Sequence, residues 1–288
     1  NMPTEMDSYT WALYFNEASN NAGWGDVVGA EQMQRIQDYM AGRISYNTVP
    51  DGVKWSSGYE LANDNLDYYK VFYKDVTFSQ EHNLSVSGGS SKVNYYVSGN
   101  YLKDNGKMNY GGDGIDRWNL FGKFEAQVTP WMKVSFNSRF VRNNYHRPSR
   151  MNDDWFREIG RQSWPVSPLY DPNGNLYNDH ALGLRDGGQS RFETSVSTTQ
   201  AGITITPLKG WRIIADGNWK MTQDYAHQDW RTFQQTAVDG VSVGNRWYAN
   251  NVTETSSKTD YYNLNAYTDY EMQFESGHYF KVMAGVQA

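Results

Sequence analysis

From His82 onward, apolar and polar residues alternate along the chain with a period of two. Leu84 and Val86 are spaced by Asn83, Ser85 and Ser87, and Gly88-Gly89-Ser90-Ser91 then makes a tight turn. Val93, Tyr95, Val97 and Tyr101 alternate with Asn94, Tyr96, Ser98 and Asn100. The rhythm returns at 118–128, 132–140, 192–205, 211–221, 262–274 and 280–288, which predicts eight strands in all. Phe121 and Ile214 interrupt the polar face. Each run reaches the ~9–11 residues that a tilted strand needs to cross a bilayer.

The connections are unequal. Those at 88–91, 129–131, 206–210 and 275–278 are short; those at 104–114, 143–190 and 225–258 are long. Short turns on one side and long loops on the other match an outer-membrane β-barrel, with an apolar face toward lipid and an Asn-, Ser- and Lys-rich face toward water. Trp131 and Trp211 stand beside short turns, where an interfacial aromatic girdle would lie. A soluble antiparallel sheet, sandwich or propeller also alternates and is the competing architecture.

Upstream, the pattern is helical. Trp11, Tyr14, Phe15 and Ala18 follow Asp7 and Ser8, either of which suits an N-cap. A second helix is expected from Gly29 or Ala30 to Met40, closed by Gly42, and a short helix or turn near Asp67–Tyr73. Residues 1–81 therefore read as a loop region with short helices, and 82–288 as the sheet.

Composition sharpens this picture. The 288 residues carry 16% aromatics but are only 39% hydrophobic, 20% charged, and −6 in net charge. So many aromatics exclude a disordered chain. The acidic balance argues against nucleic acid as a partner. Without cysteine there is no disulfide or thiolate zinc site. No apolar run approaches a membrane helix, and the start has no export signal pattern.

The words of the sequence go further. Gln80-Glu81-His82-Asn83-Leu84-Ser85-Val86-Ser87-Gly88-Gly89-Ser90, the Tyr95-Tyr96 strand and Asp104-Asn105-Gly106 closely resemble a hairpin of the SusC/RagA-type TonB-dependent transporters. Arg117-Trp118-Asn119-Leu120, Val128-Thr129-Pro130-Trp131 and Pro207-Leu208-Lys209-Gly210-Trp211 are similar to its next strands and turns, and Tyr14-Phe15-Asn16-Glu17-Ala18 to its first loop helix. The resemblance implies an all-β fold: a partial antiparallel transmembrane β-barrel, about eight strands of a larger one, with long outer loops containing short helices. It implies that the chain is an internal stretch, with the plug domain, TonB box and signal peptide lying elsewhere. It also implies a bacterial outer-membrane location, a SusD-like surface lipoprotein as partner, TonB as energy source, and an oligosaccharide or a peptide as ligand. The turn at 88–91 would be periplasmic, so 1–81, 104–114, 143–190 and 225–258 would face outward.

No catalytic motif is present. The five histidines are dispersed without a metalloprotease spacing, and neither a nucleophile elbow nor a phosphate loop occurs. No enzyme activity, metal or cofactor is expected. Asp153/Asp154 read as a solvated loop pair. Asp171-Pro172-Asn173-Gly174 reads as a turn rather than a calcium loop, because Leu182 occupies the position of the final glutamate. The candidate binding groups are loop aromatics and their basic neighbours: Trp155, Trp164, Tyr170, Trp230 and Trp247, with Arg157 and Arg161. Aromatic faces stack on the C–H faces of sugars. The same side chains would equally pack the loops together or cover a partner protein. Import through the outer membrane is the first reading. A passive porin-like barrel and a secreted carbohydrate-binding sheet protein are its rivals.

Overall fold

The computed structural model describes residues 3–244 and 250–288. Among these, eight strands form one antiparallel sheet in strict sequence order. They are β1 (Ser79–Gly89), β2 (Val93–Asn105), β3 (Gly114–Thr129), β4 (Met132–Pro148), β5 (Gln189–Leu208), β6 (Trp211–Trp230), β7 (Asn251–Gln273) and β8 (Tyr279–Gln287). Each strand pairs only with its neighbours in the chain, the meander of a partial β-barrel.

Register decides which side chains share a face. Residues directly opposite in a ladder point the same way. Val93 opposes Ala126, which opposes Val134, which opposes Ile203 and then Ala215, Ala266 and Val286. That row is apolar from β2 to β8. The row through Tyr95, Phe124, Phe136, Ala201, Gly217 and Leu264 lies beside it. The opposite face is polar and internally bonded. Asn119 Nδ2 donates to Asn100 Oδ1 at 2.9 Å, and Asn100 Nδ2 to Asn83 Oδ1 at 2.5 Å. Glu125 takes Lys123 and Lys133, each at 3.2 Å. Phe121, an aromatic on this face, packs with Tyr96 at 5.9 Å between ring centroids.

The strands are longer than their alternation. β4 runs on to Pro148, and β6 and β7 reach 20 and 23 residues. Period two ends earlier, because the far ends present polar groups on both faces. Lys103, Asp116, Arg142, Glu193, Gln223 and Lys258 continue the rows that are apolar lower down. The ladder needs only backbone hydrogen bonds, so it extends where the sequence no longer alternates. Aromatics mark the change. Trp219 Nε1 donates to Asp260 Oδ1 at 3.0 Å, and Tyr101 Oη to Asp116 Oδ1 at 2.8 Å. At the turn end, Trp211 Nε1 donates to Thr268 Oγ1 at 2.8 Å.

Among the described residues, the long connections leave from one end of the sheet and pack with residues 3–78 into a lobe. Helix α1 (Ser8–Asn21) is capped by Asp7, which accepts from Thr10 N at 2.9 Å. Helices α2 (Ala30–Met40) and α3 (Tyr68–Phe72) lie where the sequence predicts them. Two further helices, α4 (Asp153–Gln162) and α5 (Asp179–Asp186), lie in the stretch that shows no period, capped by Asn152 and Asn178. Asp153 and Asp154 are thus first-turn acids that complement the positive end of the helix dipole. Asp171 Oδ1 accepts from the amides of Asn173 and Asn175, and Gly174 adopts φ +87°, so that segment is a turn.

The lobe has two small cores. Tyr68, Phe72, Met108, Trp155, Leu182, Leu184 and Phe233 form one; Ala12, Val28, Ile36 and Val166 form the other. Buried Tyr68 joins three segments. Its Oη donates to Ser167 O at 2.9 Å and accepts from Asn178 Nδ2 at 3.0 Å. Buried Asp64 accepts from Asn47 Nδ2 at 2.8 Å, and Asn47 also reaches Tyr170 O. Desolvation raises the Asp64 pKa, against the pull of its hydrogen bonds.

Candidate functional site

Two of the lobe's clefts bring aromatic and charged side chains together. The first, a groove of about 500 Å³, runs between the start of α1, α3 and α4. Trp11, Tyr69, Tyr73, Phe156, Arg161 and Trp164 line it, with Glu5 at one end. Helical spacing supplies the walls: Tyr69 and Tyr73 are four residues apart across α3 and its C-cap. Glu5 Oε2 accepts from Tyr68 N at 3.0 Å. Desolvation raises its pKa, partly offset by that bond. Arg161 donates to Glu158 Oε2 at 2.9 Å, and Arg157 pairs with Asp154 at 2.9 Å. Both guanidinium groups remain exposed, so these pairs are solvated and weak. Aromatic faces with one cation and one carboxylate suit an uncharged polyhydroxyl chain or a peptide.

The structure divides the residues that the sequence singles out. Trp164 and Arg161 meet in this groove. Trp155 does not face it. It is 5% exposed and stands edge-on to Phe72, with ring centroids 5.2 Å apart. Its expected stacking face is therefore spent on the lobe core, where it packs with Phe72 and its neighbours. Tyr170 is 45% exposed. Its hydroxyl bonds Tyr110, whose pKa is pushed up to about 12, first by desolvation and then by this bond. Trp230 is half-buried under the Arg150 guanidinium, 5.6 Å from its ring, and Arg150 also covers Phe233 at 4.9 Å. Trp247 lies outside the described residues. Trp11, Tyr69 and Tyr73 belong to the groove without having been singled out by sequence. Their segments read as helices, and a helical aromatic signals a core before it signals a site.

The second cleft, about 770 Å³, lies between the hairpin Pro50–Asp51/Lys54–Trp55, the start of α5 and Gln235. Among the described residues, no group of three or more His, Cys, Asp or Glu is placed to hold a metal ion.

No family model matches the chain, and no curated protein does. Solved structures do match its fold. The RagAB peptide importer in its "closed-closed" state aligns with a TM-score of 0.67 at 17% identity, over 98% of this chain and 32% of that one. The "open-open" state gives 0.65 at 17% identity, over 96% and 31%. A further structure of the RagAB peptide transporter gives 0.65 at 16%, over 99% and 32%. The chain spans about a third of the length of these neighbours. At such identities the likeness is one of fold: the partial barrel and its outer lobe together.

Proposed function

We propose that this chain forms wall and outer loops of a nutrient importer of the SusC/RagA type in the bacterial outer membrane. The observation that carries the reading is the largely apolar face of the ladder, whose row from Val93 on β2 to Val286 on β8 is apolar throughout. Trp211 and Trp219, eight residues apart on β6, bound it. That is about 27 Å of strand, or roughly 21 Å of height at a tilt of ~40°, close to the apolar band of an outer-membrane barrel. Two further observations support it: the hairpin words at 80–106 and the fold likeness to RagAB chains.

In this reading residues 1–81 are the outer loop region and 82–288 the barrel wall. The ligand is an oligosaccharide, captured at the lobe beneath a SusD-like lipoprotein. TonB then drives its passage from the periplasmic side. No covalent step is involved. Trp164, Arg161, Arg157, Tyr170 and Trp230 are the proposed ligand contacts; Trp247 joins them on sequence alone. A peptide ligand is the second reading, favoured by the neighbours' description as peptide importers.

Uptake of labelled oligosaccharides and peptides by cells expressing the whole gene tests this. The expected result is saturable uptake that stops when TonB is deleted. Uptake that persists without TonB would make the protein a passive porin. Recovery in the soluble fraction without detergent would make it a secreted binder.

A further inference from the structure

Charge is unevenly spread over the polar face of the sheet. Ladder pairing sets Ser98, Phe121, Arg139, Thr198, Lys220 and Tyr261 in one row, strand by strand from β2 to β7. The next row toward the lobe runs from Asn83 on β1 to Thr259 on β7. The next row toward the short turns runs from Ser87 to Asn263. None of the three rows holds a carboxylate, and together they hold three cations, Lys123, Arg139 and Lys220. Lys123 is taken by Glu125 at 3.2 Å. Arg139 and Lys220 are exposed, and among the described residues neither side chain makes a hydrogen bond or an ion pair.

The acids that flank these rows are engaged elsewhere. Asp216 and Asp224 each lie four residues from Lys220 along β6, about 13 Å of strand. Asp216 Oδ1 accepts from Asn265 Nδ2 at 3.1 Å, and Asp224 Oδ1 from Thr194 Oγ1 at 2.7 Å. Over such a gap salt screens most of the attraction, because the Debye length is about 8 Å at physiological ionic strength. Leu120, Phe140, Trp219 and Met221 back the row on the other face of the sheet. Asp260 on that face is held by Lys258 at 2.9 Å. A largely apolar wall directs the field of the two free cations into the polar side. Two ladder steps, about 10 Å, separate Arg139 from Lys220, and their long side chains can converge over Thr198.

We propose that this row binds the carboxylate of a small organic ligand, the group shared by an acidic sugar and a peptide C-terminus. Arg139 takes the carboxylate with its planar fork, Lys220 approaches it as a point charge from the other side, and the Thr198 hydroxyl donates between them. Phe121 and Tyr261, at the two flanks, cover the less polar parts of the ligand. The role of this row in import rests on the transporter reading; the binding does not.

Calorimetric titration of the whole protein in detergent tests it. The probes are digalacturonate against its dimethyl ester, and N-acetyltrialanine against its C-terminal amide. The acid of at least one pair is expected to bind about tenfold more tightly than its neutral form, with the preference fading at high salt. The pair that shows the preference identifies the source. Arg139→Gln with Lys220→Gln should abolish the preference while the barrel keeps its heat-modifiable migration. Lys92→Gln, which removes an exposed cation beside the 88–91 turn, should leave it intact. Equal affinity of acid and neutral forms, a preference that survives the double variant or is lost in Lys92→Gln, or no binding of either pair overturns the proposal, even where uptake depends on TonB. Acid-selective binding in a protein whose uptake of the probe is absent or independent of TonB overturns the transporter reading alone.

Discussion

Trp164 stands edge-on against Tyr59, with ring centroids 4.5 Å apart and planes at 80°. One ring comes from the connection between β4 and β5, the other from the segment before the first strand. Tyr59 in turn meets Phe15 at 5.2 Å, and Phe15 stacks on Trp11 at 4.9 Å. This aromatic chain pins α1 to the rest of the lobe. A Trp164→Ala change should therefore loosen α1 and α2 by about 1–3 kcal/mol, less than for a fully buried tryptophan. Faster amide exchange across 8–40, with β5 and β6 unchanged, is the expected readout.

Trp155 and its neighbours on α4 should separate structure from binding. Trp155→Ala removes a buried ring and should cost the lobe roughly 3–5 kcal/mol. Arg157→Ala and Arg161→Ala remove exposed ends and should change stability by no more than about 0.5 kcal/mol. On the import reading, the arginine variants lower uptake at normal surface abundance, whereas Trp155→Ala lowers abundance. Quantitative surface labelling beside uptake distinguishes the two.

The ladder between β6 and β7 contains a fork. Arg212 donates through Nε and Nη2 to the two carboxylate oxygens of Asp269, at 2.9 and 2.8 Å, and Lys281 approaches at 3.8 Å. The sheet is one layer thick, so little protein lies behind this pair, although neighbouring side chains cover Asp269. Asp269→Asn and Arg212→Gln should each lower the thermal unfolding temperature, and the double variant should add little to either. Additive losses would show that the fork contributes nothing of its own.

The two faces of the sheet should tolerate charge differently. Leu264→Arg, on the apolar face, should cost about 2–4 kcal/mol of barrel stability if that face meets lipid. Asn263→Arg, the adjacent residue on the polar face, should fold and assemble. Outer-membrane fractionation and urea-resistant migration report the difference; equal tolerance would sink the membrane assignment.

His180 makes the lobe sensitive to acid. Desolvation lowers its pKa below the ordinary 6.5, and Glu158 pulls weakly the other way. Between the lowered value and 6.5 the unfolded chain binds more protons than the folded one. Stability is therefore full above that window and falls as pH drops through it. Asp64 and Asp179, raised by burial, act in the opposite sense, favouring the folded lobe as they protonate. Protection factors in α5, which correct for the intrinsic pH dependence of amide exchange, should fall as pH drops below 6.5, and His180→Phe should remove that change.

The sequence by itself determined the eight strands, their order of short and long connections, and the first three helices. Period two and cap residues act locally and need no partner to be read. It did not reveal where β4 to β7 end, because beyond the aromatic rim both faces carry polar groups and only the backbone ladder continues. Helices α4 and α5 carried legible caps in Asn152 and Asn178, but their short apolar stretches read as loop. The fate of the loop aromatics was a tertiary decision. Trp155 and Phe156 are adjacent in sequence, yet one is 5% and the other 43% exposed. Successive side chains on a helix point about 100° apart, and only the packing of α3, α4 and α5 sets which direction is inside. The cleft at Trp55 and Asp179 was hidden for the same reason: its rims lie more than a hundred residues apart, and one hydrogen bond from Tyr177 to the Trp55 carbonyl brings them together.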